Sequence, residues 1–376
     1  MDVMESRVRA LPERPTVCLA MIVRDEAHCI ADCLASVRDH ITHWVICDTG
    51  STDGTADAVR EALRGIPGEL HEHPWVNFAH NRNAALELAR DRAEYVFTID
   101  ADDQLVCDEG GDPFARLTEQ CYWVEVAHAG THYSRVQLVH RGLACRYTGA
   151  VHEVLEIPGP HGAAVLRGCH IQYGGNGARS RDPQKFVRDA RILEEEAARE
   201  PDNPRHVLYL AQSYRDAGMR EQALAAYLRR ADMGGWDQEV FFALYQAARM
   251  RHLLGEPWDE VLAAHLTAHQ FRPSRLEPLL HVARHYREQG EHALGHLFSR
   301  PSVDAAFPTD ALFVERGVYE YELPLEYGIC CYWLGRHREA VRVNDLILAR
   351  PGVPVEFREA AIRNRQFSVD VLGEAV

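Results

Sequence analysis

Val45-Ile46-Cys47-Asp48-Thr49-Gly50-Ser51-Thr52-Asp53-Gly54-Thr55 and, further on, Val96-Phe97-Thr98-Ile99-Asp100-Ala101-Asp102-Asp103 decide the fold. Each is a short apolar, β-forming run that drops abruptly into carboxylates and small turn residues. Parallel strands in open α/β sheets bring such ends together, and ligands bind there. The two stretches predict a shared acidic crevice.

Working outward, Thr16 to Val23 (TVCLAMIV) reads as a strand covered on both faces, ending in Arg24-Asp25-Glu26. Ile30, Cys33, Leu34 and Val37 follow at helical spacing and predict a helix of about three turns. Trp44 to Asp48 is the second strand. Its TGSTDGT turn supplies glycines for positive φ and Ser, Thr and Asp for capping, ahead of a helix with Ala58, Val59, Ala62 and Leu63 inward. Glu69 to His73 reads as a short third strand, Asn81 to Arg90 as a helix, and Tyr95 to Ile99 as a fourth strand. This alternation implies right-handed crossovers and a mainly parallel sheet.

Beyond it, Tyr122 to His128 and Ser134 to His140 read as antiparallel strands around Gly130-Thr131, followed by the segments Tyr147 to Leu155 and Leu166 to Ile171. The glycine-rich Gly174 to Arg181, with Arg179 and Arg181, has the composition of a lid over a diphosphate or of an interdomain linker. From Pro183 onward strands disappear. Val207, Leu210, Ala211, Tyr214, Gly218, Ala223 and Tyr227 are spaced as in a tetratricopeptide repeat, and a second copy starts near Tyr321. Weaker helix pairs surround Phe241 to Leu254 and Leu279 to Leu294. Small residues at these spacings let antiparallel helices approach and stack into a solenoid. The predicted fold class is α/β plus all-α: a Rossmann-like domain over 1–182 and a tetratricopeptide-like helical domain over 183–376.

Composition narrows the function. A chain of 376 residues is too long for one ordinary core. Its net charge of -15 argues against a nucleic-acid partner, which calls for clustered Lys and Arg. The longest apolar runs fall far short of the roughly 18 to 20 residues that span a membrane. The N-terminus lacks the apolar core of a signal peptide, so residues 1–14 read as a mobile leader and the expected location is cytoplasmic. Ten cysteines form no CxxC pair; Cys29 and Cys33 lie one helical turn apart and Cys330-Cys331 are adjacent. They read as reduced, mostly buried small hydrophobes.

Two carboxylates one residue apart at a strand end can divide their work. One accepts hydrogen bonds from a ribose while the other binds a hard cation that bridges a diphosphate. Asp48 ends its strand facing the same crevice, placed to accept from a base N–H or a ribose hydroxyl, although an Asx cap uses the same letters. Each motif alone also fits a solvated turn. An Arg-Asp-Glu strand end, then VICDTGSTDGT, then TIDADD, in this order and spacing, is specific.

On those residues the first half resembles a family 2 glycosyltransferase with the GT-A fold. Asn77-Phe78-Ala79-His80-Asn81-Arg82-Asn83 looks like the family's segment before its third helix, and Gly149-Ala150-Val151-His152-Glu153 like the Gly-x-x-His-Glu segment of a subgroup. That subgroup carries C-terminal tetratricopeptide-like helices and includes the peptide S-glycosyltransferases of glycosylated bacteriocins. The resemblance implies an inverting, metal-dependent transferase of a hexosyl or N-acetylhexosaminyl group from a nucleotide-diphosphate sugar, UDP-linked for preference, to a peptide, protein or glycan. It implies Glu26, Asp48, Arg82 and Asp100 as donor-binding residues. Asp102 and His170 would hold Mg²⁺ or Mn²⁺, and Glu153 would act as the base, with Asp103 its rival. The helical half would bind the acceptor or form a homodimer. Trp75, Tyr122 and Trp123 offer aromatic faces but read more readily as core. Three alternatives stand beside this. A nucleotidyltransferase would open with a glycine-rich basic loop, absent after the first strand. A glycan or small-molecule acceptor would replace the peptide. A non-catalytic repeat scaffold would have no reason to keep costly like charges together.

Overall fold

The computed structural model describes residues 14–109, 111–128 and 131–373. Residues 1–13 of the expected leader and the Gly130 turn lie outside them. The chain divides into two compact units, Met1–Val126 with Ser134–Asp182, and Ala127–Tyr133 with Pro183–Val376.

The first unit opens with β1 (Val17–Val23), α1 (Ile30–Val37), β2 (His43–Asp48), α2 (Thr55–Ala62), β3 (Gly68–Glu72), α3 (Phe78–Arg90) and β4 (Tyr95–Thr98). β5 (Gln104–Cys107), β6 (Cys121–His128), β7 (Thr131–His140), β8 (Arg146–Thr148), β9 (Val154–Glu156), β10 (Ala163–Val165) and β11 (Cys169–Gln172) follow. The sheet runs β3-β2-β1-β4-β7-β6-β11-β5, with β10 beside β6, while β8 and β9 form a separate hairpin. β1 is parallel to β2, from Cys18↔His43 to Val23↔Asp48, and to β4, from Val17↔Tyr95 to Ala20↔Thr98. The ends carrying Glu26, Asp48 and Asp100 therefore emerge on one edge. Strand order reverses between β1 and β4, and an open α/β sheet places its ligand crevice at such a reversal.

Continuous apolar runs give these strands two buried faces. Cys18, Ala20, Val45 and Val96 pack with Ala79, Leu86 and Ala89 of α3. Each large aliphatic side chain so buried contributes about 1.5–3 kcal/mol before entropy is counted. Gly68 is required in β3, since a Cβ there would lie within 2.5 Å of the Trp44 ring.

Two helices differ from the sequence reading. α1 has two turns rather than three, because the preceding residues knit into the β2 turn. There Asp25 N–H donates to Ser51 Oγ, Glu26 N–H to Thr55 Oγ1 and Ala27 N–H to Asp53 Oδ2. α3 starts at Phe78, not Asn81, because Asn77 caps it, its side chain accepting from His80 N–H at 2.8 Å.

The second unit is helical: α4 (Lys185–Arg199), α5 (Pro204–Asp216), α6 (Arg220–Asp232), α7 (Asp237–Leu253), α8 (Trp258–Phe271), α9 (Glu277–Glu288), α10 (His292–Ser299), α11 (Leu323–Trp333), α12 (His337–Leu348) and α13 (Val355–Leu372). β12 (Val314–Glu315) pairs with residues 131–132. Consecutive helices pack together, and the repeat residues Ala211, Ala223 and Tyr227 are buried where α5, α6 and α7 meet. Gly328 lets α11 approach α12, since a Cβ would lie 2.9 Å from Val343. No helix of the described residues is long and apolar enough to cross a membrane.

Candidate active site

Helix α3 reaches the β4 end through the NFAHNRN segment, whose three asparagines each hold backbone. Asn77 caps the helix. Asn81, fully buried, accepts from Val76 N–H at 3.0 Å and donates to the Pro74 carbonyl at 3.0 Å. Asn83 exchanges two hydrogen bonds with Tyr147 backbone, at 2.8 and 2.7 Å, and so fixes the β8–β9 hairpin. Between these clamps Arg82 points into the crevice. Its Nη2 meets Asp100 Oδ1 and its Nε meets Glu153 Oε1, each at 2.5 Å. One guanidinium thus joins the first aspartate of the DxD to the glutamate of the hairpin loop, where His152 takes φ +52° and Gly149 φ +96°.

Asp100 and Asp103 sit on a second arginine. Arg135 Nη2 lies 3.5 Å from Asp100 Oδ2 and 3.3 Å from Asp103 Oδ2. Gln137, with its amide oxygen turned to Arg135 Nε at 3.0 Å, links that group to Thr98. Tyr147 O–H donates to Thr98 Oγ1 at 3.2 Å. Burial would raise the proton affinity of Asp100, but Arg82 and Arg135 outweigh it and hold the carboxyl well below its usual range. Asp103 goes the other way. Burial, then the Asp100 charge, push it up toward neutral pH against the pull of Arg135.

The segment after β11 lies along the acidic cluster as a strap. Gly174 N–H donates to Asp103 Oδ1 at 3.2 Å, Gly177 N–H to Asp102 Oδ2 at 2.9 Å, and Ala178 N–H to Glu26 Oε2 at 3.1 Å. His28 Nε2 bonds the Asn176 carbonyl at 2.8 Å. A Cβ on Gly174 would lie under 2 Å from the Asp102 carbonyl oxygen, and one on Gly177 2.9 Å from its Oδ2, so this approach needs glycine. Arg179 stacks on Phe78, its Cζ 4.5 Å from the ring centre.

The expected site residues separate accordingly. Arg82, Asp100 and Glu153 come together, and Glu26 and Asp102 meet the strap. Arg82 is a bridge between carboxylates rather than a free cation facing a diphosphate. Asp48, 7% exposed, spends Oδ1 on the N–H groups of Gly50 and Ser51, at 2.9 and 2.7 Å, as an Asx turn. His170 lies in β11 opposite Val106, while Asp102 accepts from the strap at Gly177 N–H. Among the described residues, the close ligand group on this edge is Glu26, His28 and Cys29. Tyr122 is buried and its hydroxyl accepts from Thr118 and Glu119 N–H, as the core reading expects, whereas Trp75, edge-on to Phe78, and Trp123 are exposed and not core. Arg135 and Gln137 were missed. At i and i+2 of β7 they face one side of the sheet, and that was the available signal.

Residues 18–108 match the family model described as Glycosyl transferase family 2. The first unit carries a glycosyltransferase family 2 domain. This agrees with the resemblance drawn from the strand-end motifs. The chain is 25% identical over 234 residues to the SPbeta prophage-derived glycosyltransferase SunS of Bacillus subtilis, covering 58% of this chain and 54% of that one. It is 37% identical over 92 residues to a TPR repeat-containing protein of Synechococcus elongatus, covering 24% of this chain and 22% of that one. It is 32% identical over 96 residues to the lipopolysaccharide core biosynthesis glycosyltransferase LpsC of Rhizobium meliloti, covering 25% and 34%. The chain spans about half or less of the length of these relatives. The family 2 match contains Glu26, Asp48, Arg82 and Asp100–Asp103, and ends before Arg135, Glu153 and the strap.

Proposed function

We propose that this protein is an inverting, metal-dependent glycosyltransferase that moves a sugar from a nucleotide-diphosphate donor, UDP-linked for preference, to a peptide or protein side chain. The observation that carries this is the Arg82 bridge between Asp100 and Glu153 at the β1/β4 reversal, beside Asp102. This supports a reading in which Asp100 serves the ribose, Asp102 the cation and Glu153 the acceptor proton around one crevice.

Asp100, kept ionised by two arginines, accepts from the donor ribose. Asp48 shapes the β2 turn and reaches the nucleoside only through Oδ2. The residues fit a hard divalent cation without a histidine. Mg²⁺ or Mn²⁺ keeps waters and substrate phosphates and needs only one or two carboxylates. Asp102 offers one that already accepts a donor N–H, and Glu26 lies under the same strap. When bound, such a cation neutralises charge on the departing diphosphate. Glu153 takes the acceptor proton: Arg82 holds its Oε1, leaving Oε2 to accept. Asp103 suits that task less, being fully buried with its oxygens on Gly174 and Arg135.

The likeness to LpsC favours a second reading, in which the acceptor is a glycan. A thermal-shift panel of nucleotide-sugars with and without Mn²⁺ tests the donor side. Stabilisation by one donor, dependent on the cation, is expected. No stabilisation by any of them replaces this reading with the repeat-scaffold one.

A further inference from the structure

A second group of metal-competent side chains lies in the helical unit, independent of the proposed transfer reaction. His296 on α10, Cys331 on α11 and Glu339 on α12 place one nitrogen, one sulfur and one oxygen within 4.8 Å of one another. Three successive helices each supply one donor. Cys331 is fully buried in the contact between α11 and α12, with Tyr327, Ala340 and Val343.

Three features point to a cation. First, Arg336 already stands at the mouth of the group, its Nη1 3.0 Å from His296 Nε2 and 3.7 Å from Glu339 Oε2. The space thus receives positive charge, delivered by a side chain 53% exposed and able to swing into solvent. Second, an arginine can only donate, so His296 Nε2 carries the lone pair and the neutral imidazole is in its ligating form. Third, Tyr327 O–H donates to Glu339 Oε1 and its ring centre lies 4.9 Å from that of His296. One residue thereby orients two of the donors, as partners of metal ligands commonly do.

We propose that His296, Cys331 and Glu339 form a binding site for a divalent cation of the zinc class, with water in the fourth position. The mixed N, S, O donor set selects zinc or cobalt over Mg²⁺ or Ca²⁺, which take oxygen. Zinc–ligand distances of about 2.0–2.3 Å put neighbouring donors roughly 3.5 Å apart, so closure from the present geometry takes small side-chain rotations. On binding, the Cys331 thiol loses its proton to solvent, the metal–sulfur bond forms, and Arg336 moves out. The ion ties α10, α11 and α12 together at one point.

The test uses the full chain, stripped with a chelator and titrated with Co²⁺. A thiolate-to-cobalt band in the near ultraviolet that saturates at one equivalent is expected. So are its loss in Cys331→Ser and at least a tenfold weaker affinity in Glu339→Gln. Zn²⁺ should displace the cobalt and raise the melting temperature by a few degrees, about what a ligand in large excess over its Kd provides. Arg336→Ala, which removes the guanidinium that occupies His296 Nε2 and Glu339, should tighten Co²⁺ binding. Absence of the band, its survival in Cys331→Ser, its loss in Cys29→Ser instead, or unchanged affinity in Arg336→Ala each overturns the assignment.

Discussion

The Arg82 Nε lies 2.5 Å from Glu153 Oε1, joining residues 71 positions apart, and the far side of the same guanidinium holds Asp100. This half-buried cation cannot be removed without leaving Glu153 without its arginine and Asp100 with Arg135 alone. Arg82→Ala should cost stability, by less than the roughly 3–5 kcal/mol of a fully buried pair because Asp100 keeps Arg135. Arg82→Lys keeps the charge but loses the fork, and should melt close to wild type while transferring slowly. Melting curves beside transfer rates separate the two effects; a lysine variant with full activity would dismiss the bridge from the mechanism.

Glu153→Gln preserves shape and an acceptor oxygen for Arg82 while abolishing basicity. Donor affinity by calorimetry should stay within a few fold of wild type, and transfer should drop by about 10²–10⁴. Asp103→Asn supplies the contrast. If Asp103→Asn stops transfer and Glu153→Gln does not, the base is Asp103.

The legible part of this protein was what repeats at short range. β1, β2 and β4 were readable because both their faces are buried and the letters run apolar without interruption. The acidic ends were readable because turn residues and carboxylates cluster visibly. The Arg82 bridge was not: it depends on a helix meeting a hairpin loop that shares no periodicity with it. Nor was the strap, since its donors are backbone N–H groups and only Gly174 and Gly177 hint at the close approach. The pairing of His170 with Asp102 came from the resemblance, and strand register, which letters do not show, sets His170 opposite Val106.

Asp103 gives a pH dependence with a definite sign. Its folded proton affinity is raised above the unfolded value of about 3.9. Between the two, the native state binds more protons, so stability falls as pH rises through that window, by at most about 1.4 kcal/mol per unit for one group. Asp100 is shifted the other way; its stabilisation is present above its unfolded value and is lost only as pH falls below about 4. Urea unfolding of the wild type and Asp103→Asn between pH 4.5 and 8 should show a steeper decline in the wild type, since buried Glu315, also raised, remains in both. Parallel profiles would mean that Asp103 is ionised throughout.

Gly177 tests whether the strap and the cation compete for Asp102. The Gly177 N–H occupies Asp102 Oδ2, and a Cβ added there meets that carboxylate at 2.9 Å, a contact a side chain relieves by turning away. The backbone of Gly177 has an ordinary negative φ, so alanine brings no conformational strain. Gly177→Ala should therefore loosen the strap without unfolding the sheet. Amide exchange at 177–178 should quicken by roughly tenfold or more, as one hydrogen bond of about 1.5–3 kcal/mol to a charged group is lost. Asp102, released, should take Mn²⁺ more tightly in the same variant. Gly174→Ala is the harsher change, since its Cβ would overlap the Asp102 backbone itself, and it should lower the melting temperature. Faster exchange with unchanged Mn²⁺ affinity would show that the strap covers the cluster without contesting its ligand.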